Sequence, residues 1–171
     1  MRRLIHAVLT TAFLLQIAAA RAEPASDTAS IWTLQGENAA ITAARLANRY
    51  YTNGLRLGWT SPTDAVPTLL TSLGNSLWGS GQQRFGFDLS HQIYSPRATH
   101  LVHPDPRDRP YAGYLSANFS LLSDTDTTRS LLMLGLGIIG PAAGGQALQN
   151  GFHDLVSQGS NNGWGSQMAS A

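Results

Sequence analysis

Residues 84–93 read Arg84-Phe85-Gly86-Phe87-Asp88-Leu89-Ser90-His91-Gln92-Ile93. Phe85, Phe87, Leu89 and Ile93 share one side with His91, while Arg84, Gly86, Asp88, Ser90 and Gln92 share the other. A repeat of two is the period of an extended strand, whose side chains leave alternately to opposite faces. The scheme recurs on both sides of this stretch. In residues 51–60, Tyr51, Leu55, Leu57 and Trp59 fall together, with Asn53 as the exception, against Thr52, Gly54, Arg56, Gly58 and Thr60. In residues 114–121, Leu115, Ala117, Phe119 and Leu121 alternate with Tyr114, Ser116, Asn118 and Ser120. Residues 30–36 predict a shorter first strand. Residues 130–139 are apolar in both registers, lightened by Gly135 and Gly137. That predicts a strand buried on both sides, with glycines where another backbone packs close. Residues 61–81, with Pro62 and Pro67, read as a connector, as do residues 96–110 with four prolines; residues 123–128 read as a polar hairpin turn. The fold class is all-β and antiparallel, with about five to six strands.

The composition narrows the function. At 171 residues the chain holds one domain. Charged residues are 12% of the total, against roughly 25% in an ordinary soluble domain. All 11 basic residues are arginine, and the net charge of +1 offers no basic field for a nucleic-acid partner. The hydrophobic share of 43% excludes a disordered tail. With no cysteine, disulfide frameworks, thiol catalysis and thiolate zinc sites are excluded together.

The first segment reads as an address. Arg2 and Arg3 precede an apolar run over residues 4–20, and Ala20-Arg21-Ala22 fits the small-x-small pattern of a signal-peptide cleavage site. Residues 1–22 are therefore expected to be a signal peptide, and residues 23–171 the mature domain. Cleavage leaves eight arginines against 10 acids. No later stretch has the roughly 18 apolar residues of a spanning helix, so any membrane crossing is made by strands. The alternation fits two architectures. A soluble sandwich puts the apolar face in its core; a membrane barrel puts it against lipid. The polar faces carry Gly, Ser, Thr, Asn and Gln rather than Lys and Glu. Aromatics near strand ends (Tyr51, Trp59, Tyr94, Tyr111, Tyr114) suit an interfacial girdle, and the export signal permits an outer-membrane destination. These features favour an outer-membrane β-barrel type.

One helix is expected near residues 142–156, with Pro141 at its start. Gln146, Gln149 and His153 (i, i+3, i+7) lie on one face, and Leu148, Phe152 and Leu155 on a neighbouring one. Gly144, Gly145 and Gly151 weaken it by about 1 kcal/mol each relative to Ala, so it needs a close packing partner. His153 is a candidate general base, since neutral imidazole accepts a proton near pH 7. The plainer reading is a surface or packed histidine bonded to a carbonyl. His91 sits at an apolar position, His100 and His103 lie in the proline-rich connector, and none has metal-ligand spacing. Residues 157–171, with Met168, read as loop or frayed end.

Four segments taken together resemble one family, the outer-membrane lipid A 3′-O-deacylases. They are Gly36-Glu37-Asn38; Tyr50-Tyr51-Thr52-Asn53-Gly54-Leu55; Ile93-Tyr94-Ser95-Pro96 leading to Asp108-Arg109-Pro110-Tyr111-Ala112-Gly113; and Gly137-Ile138-Ile139-Gly140-Pro141-Ala142-Ala143-Gly144-Gly145-Gln146 running to Gln149-Asn150 and His153. Trp164 and Gln167 extend the likeness to the end. The resemblance implies a twelve-strand barrel with a calcium-dependent site near its outer rim, between the wall and a short helix. It implies hydrolysis of an ester-linked acyl chain from lipid A of lipopolysaccharide. It implies His153 as general base, Asn38 and Thr52 in the metal and substrate site, and Gln149 beside the base on the helix.

Two residues depart from the family pattern. Ala39 stands where an acid commonly follows the asparagine, and Asn48 where an acid commonly precedes the arginine, here Arg49. Calcium affinity rises with ligand charge, so the site is expected to be weak unless a residue such as Glu37 substitutes, and activity low or absent. The strand count covers only the N-terminal half of such a barrel, so the chain is expected to be truncated, a fragment, or closed by self-association. The alternatives are a non-enzymatic outer-membrane scaffold or remnant and, further off, a soluble periplasmic β-protein binding an apolar ligand.

Overall fold

The computed structural model describes residues 26–38, 50–157 and 159–171. The expected signal peptide, Ala39, Asn48 and Arg49 lie outside the described residues. Five strands run in chain order through one antiparallel sheet: β1 (Ile31–Asn38), β2 (Tyr51–Thr60), β3 (Gln82–Tyr94), β4 (Ala112–Asp124) and β5 (Arg129–Ile139). Among the described residues β1 and β5 form its edges, so the sheet is open. The registers align the alternation across it: Leu57 faces Leu89, Leu89 faces Ala117, and Ala117 faces Leu136. On the other face Gly58 faces Asp88, Asp88 faces Asn118, and Asn118 faces Gly135. The sheet thus has one continuous apolar face and one mainly polar face, to which β5 adds the exposed Leu131 and Met133.

The apolar face is largely uncovered. Leu34 is 79% exposed and Leu136 82%, and no second sheet lies over them among the described residues. The polar face is knit by side chains. Asp88 takes Arg56 at 3.2 Å and the Asn118 amide at 2.9 Å. Tyr51 donates to Glu37, which also accepts from Gln35.

The structure corrects several expectations. β5 is not buried on both sides. Leu132, Leu134, Leu136 and Ile138 extend the exposed apolar face, and Gly135 and Gly137 make room for side chains rather than backbone. A Cβ on Gly137 would meet the Tyr114 ring at 2.6 Å. The connector over residues 61–81 contains a helix, α1 (Thr68–Trp78), tied to β3 where Gln83 donates to the Asn75 side chain at 2.7 Å. Its Leu69-Leu73-Leu77 row faces out, so its apolar period does not mark a buried side, and flanking prolines disguise it as a loop. β2 carries a bulge at its start, where Tyr51 pairs with Tyr94 and Asn53 with Ile93. The extra residue turns Tyr51 to the polar face, beside Glu37 and 5.6 Å from the Tyr94 ring, reversing the expected sides of Tyr51 and Thr52. The aromatic girdle also fails in part: Tyr111 is fully buried, and Tyr114 lies over Gly137.

At the opposite end of the sheet from α1 sits α2 (Gly145–Leu155), led in by a short turn at Pro141–Ala143. Gly113 and Gly145 meet backbone to backbone: a Cβ on Gly113 would stand 2.9 Å from the Gly145 Cα. The segment after α2 is not frayed. Trp164 is fully buried with Tyr111 and Ile93, its ring 4.6 Å from that of Tyr111. The Met168 amide donates to the Tyr111 carbonyl at 2.8 Å, and Ala171 pairs with Ile139 through backbone bonds in both directions. A Gly145→Val change should lower stability by about 1–3 kcal/mol, since the new methyls meet Gly113 backbone and the Trp164 ring, neither of which can give way locally. Urea unfolding followed by tryptophan fluorescence measures this.

Candidate functional site

The site forms where α2 covers the rim of the sheet. A groove of about 370 Å³ runs between them, lined by Asn38, Asn53, Leu55, His91, Leu148 and Phe152, with Gly36, Glu37 and Gly54 at its margin. Its floor follows from register: Asn38 lies opposite Asn53, and Leu55 opposite His91, all on the apolar face. Its roof is the apolar side of α2. The result is a slot that is greasy along its length and polar at one end.

The expected site residues are partly assembled. Asn38 lines the groove. Thr52, displaced by the bulge, bonds its hydroxyl to that of Ser95 and is not a lining residue. Gln149 faces inward rather than toward a substrate: it is almost fully buried, and its Oε1 accepts from the Trp164 indole at 3.0 Å. Gln146, of the same expected stripe, is exposed and lines a separate hollow with Asn150 and Gln167. His153 is next in sequence to the groove residue Phe152 but is not itself a lining residue; its Nδ1 lies 3.0 Å from the Gly159 carbonyl. A carbonyl only accepts, so this contact makes Nδ1 the protonated nitrogen and leaves the lone pair on Nε2. The carbonyl-bonded histidine and the candidate base are thus the same residue in the same pose.

Sequence alone undervalues His91. Its Nε2 lies 2.8 Å from the Ala143 carbonyl, tying β3 to the turn that leads into α2. The signal is its interruption of the row Phe85-Phe87-Leu89-Ile93, just as Asn53 interrupts the row of β2. Both breaks fall in the groove.

The connector over residues 96–110 is held beside this end of the sheet. The Asp108 carboxylate accepts from the backbone amides of Arg97 and Arg109, each at 2.8 Å, and these bonds, that of Arg97 first, hold its carboxyl below the usual carboxylate range. Arg109 stacks over the Tyr50 ring at 4.2 Å. Tyr111 donates to the Thr99 carbonyl at 3.0 Å, and burial pushes its phenol up to about 12.

A calcium ion takes six to eight oxygens, several of them carboxylate. Near the groove the described donors are the neutral amides of Asn38 and Asn53, while Glu37 is committed to Tyr51 and Gln35 on the polar face. No cluster of three His, Cys, Asp or Glu occurs among the described residues. This donor set does not fit calcium, and no step below passes through the ion.

An open antiparallel sheet with one apolar and one polar face, and a helix seated at one rim, defines a piece of an outer-membrane type β-barrel. The comparisons agree. A family model described as "Outer membrane protein LpxR" matches residues 4–171, and the chain belongs to that family. Among solved structures, LpxR from Salmonella typhimurium is similar with a TM-score of 0.63 at 21% identity, over 84% of this chain and 47% of that one. The chain thus spans about half the length of that protein, and at this identity the likeness speaks to the fold. No curated protein matches it in sequence. No described helix is long and apolar enough to cross a membrane.

Tyr111 gives the site a pH signature. Its raised value means that the neutral phenol is favoured by the fold, so its contribution is intact below about 10, the ordinary tyrosine value, and lost as pH rises through about 12. Alkaline titration should expose the indole it covers, seen as a red shift of tryptophan emission over that window, and Tyr111→Phe should abolish the step.

Proposed function

We propose that this chain is an outer-membrane protein of lipid A deacylase type, exported by residues 1–22 and acting weakly or not at all on an ester-linked acyl chain of lipid A. The groove carries this reading. A slot on the outward face of a barrel wall is reached from within the outer leaflet, so a lipid can enter sideways without leaving the bilayer. Leu55, Leu148 and Phe152 suit methylenes, each worth about 0.8 kcal/mol when buried, and Asn38 marks the end where an ester would meet polar groups.

In this mechanism His153 Nε2 takes a proton from water as the oxygen attacks the ester carbonyl carbon. The tetrahedral intermediate collapses with cleavage of the C–O bond to the sugar oxygen, and the imidazolium returns the proton to the leaving hydroxyl. The products are a free fatty acid and a lipid A short of one acyl chain. Of the two residues that the resemblance puts at a calcium site, Asn38 lines the groove and Thr52 does not, so calcium has no part in this mechanism. The neutral side chain at Ala39 argues for weak calcium binding and weak turnover. It also supports the second reading, a barrel scaffold without chemistry.

Mass spectrometry of lipid A from cells with and without the chain is the decisive test. A minor species lighter by the 3′-linked acyl group is expected, and none in the His153→Ala variant. Persistence of that species in His153→Ala would remove the histidine from the mechanism. Ala39→Asp should raise the yield by about tenfold or more and make it sensitive to chelators. Silence from both the native chain and Ala39→Asp would leave the scaffold.

A further inference from the structure

The residues after α2 approach the proposed base more closely than their sequence suggests. Gly159 supplies the carbonyl at His153 Nδ1. Two residues on, the Asn161 amide donates to the Asn150 side chain at 3.1 Å. Trp164 then plugs into the sheet against Tyr111, and its indole N–H reaches back to Gln149, one helical turn before His153. Gly163 passes so close to this core that a Cβ would stand 2.8 Å from both the Leu101 carbonyl and the Tyr111 ring. Further on, Met168, Ser170 and Ala171 bond to Tyr111, Ala142 and Ile139. The segment is a strap: anchored to the sheet beyond Trp164, tied to α2 at Gln149 and Asn150, and ending at the imidazole.

We propose that Trp164 is the positioning residue of this site, fixing His153 as the Nδ1–H tautomer by holding the Gly159 carbonyl and the Gln149 face of α2 in one frame. A histidine ring is free to carry its proton on either nitrogen, and the bond made by the other nitrogen decides which. Nothing on α2 itself makes that choice. Its C-terminal turn is exposed at Leu155 and Val156, and the helix is weakened by Gly151. Without the indole bond Gln149 has a buried, unpaired carbonyl, a cost that favours rotation of the helix away from the sheet. Gln149 thus acts through packing and does not touch substrate. The proposal rests on the deacylase reading for its catalytic meaning, but its physical content stands apart from turnover.

The test is the tautomer. The full chain, refolded in detergent with 15N-labelled histidine, gives long-range proton–nitrogen correlations that distinguish protonated from bare ring nitrogens; the His153 signals are assigned by their loss in His153→Gln. The native protein should show Nδ1–H. Trp164→Phe, which keeps an aromatic ring and deletes the N–H, should show mixed tautomers, whereas Gln149→Glu, whose carboxylate still accepts from the indole, should retain Nδ1–H. Where Trp164→Phe fails to fold, Gln149→Leu removes the same bond from the other side and decides. A native protein with Nε2–H, or a folded variant lacking the bond that keeps Nδ1–H, overturns the proposal. A native chain that keeps Nδ1–H while neither it nor Ala39→Asp releases an acyl group overturns the deacylase reading alone.

Discussion

The rest of the site depends on a contact between two glycines. Gly113 on β4 and Gly145 at the start of α2 let helix and sheet backbones touch, and only at that distance can Trp164 reach Tyr111 on one side and Gln149 on the other. An 11-residue helix with Gly145 and Gly151 inside it is not stable alone. It persists because the indole lies against its first turn and bonds its buried amide. A Trp side chain removes some 150–250 Å² from water, enough to offset propensity losses of about 1 kcal/mol per glycine. The roof of the groove, the pose of His153 and the placement of residues 159–171 are consequences of that seat.

The two faces of the sheet then obey different solvents. On the polar face each acid within the strands is paired: Asp88 with Arg56 and Asn118, Glu37 with Tyr51 and Gln35, Asp124 with Arg129 at 2.7 Å. On the apolar face, rows such as Leu34-Leu57-Leu89 stand side by side with nothing polar among them. In water those rows would be a liability, because contiguous exposed apolar surface drives association. Against acyl chains they are the required surface, and closed strand pairing is the only way a sheet can present it. Helices α1 and α2 lie at opposite ends of the sheet and leave the middle of this face bare, as a wall spanning a bilayer needs.

The strands are legible because alternation is enforced by solvent at every second residue. It survives even in β5, where a run apolar in both registers hides the side that glycines vacate for Tyr114 and Asn118. What sequence cannot show is what depends on distant partners. Trp164 reads as a tail residue until Tyr111, 53 positions earlier, is brought beneath it. α1 lies between prolines and turns its leucines outward, contrary to the usual sense of an amphipathic pattern. The bulge at Tyr51 and Asn53 leaves the local sequence ambiguous, since one inserted residue inverts sides without changing composition. The candidate site is half visible. Asn53 and His91 stand out as exceptions in otherwise apolar rows, and exceptions at a lipid-facing surface are costly enough to need a reason. The reason is the helix above them.

The bulge also bears on turnover. By turning Tyr51 inward it gives Glu37 a phenolic donor on the polar face, so the one acid on β1 is bonded away from the groove floor. Moving that carboxylate to a cation would break its bonds to both Tyr51 and Gln35, and each bond to a charged group is worth about 1.5–3 kcal/mol. Glu37 is therefore a poor substitute for an acid at position 39. Under the deacylase reading the chain keeps a histidine whose Nδ1 is bonded to a carbonyl, and general-base catalysis contributes about 10²–10⁴ in rate. Stabilisation of the oxyanion commonly contributes more than any other effect in such reactions, and the described lining of the groove holds no arginine to supply it. A site with a base and no oxyanion partner should turn over slowly rather than bind poorly, because the slot that receives the acyl chain is independent of the missing charge.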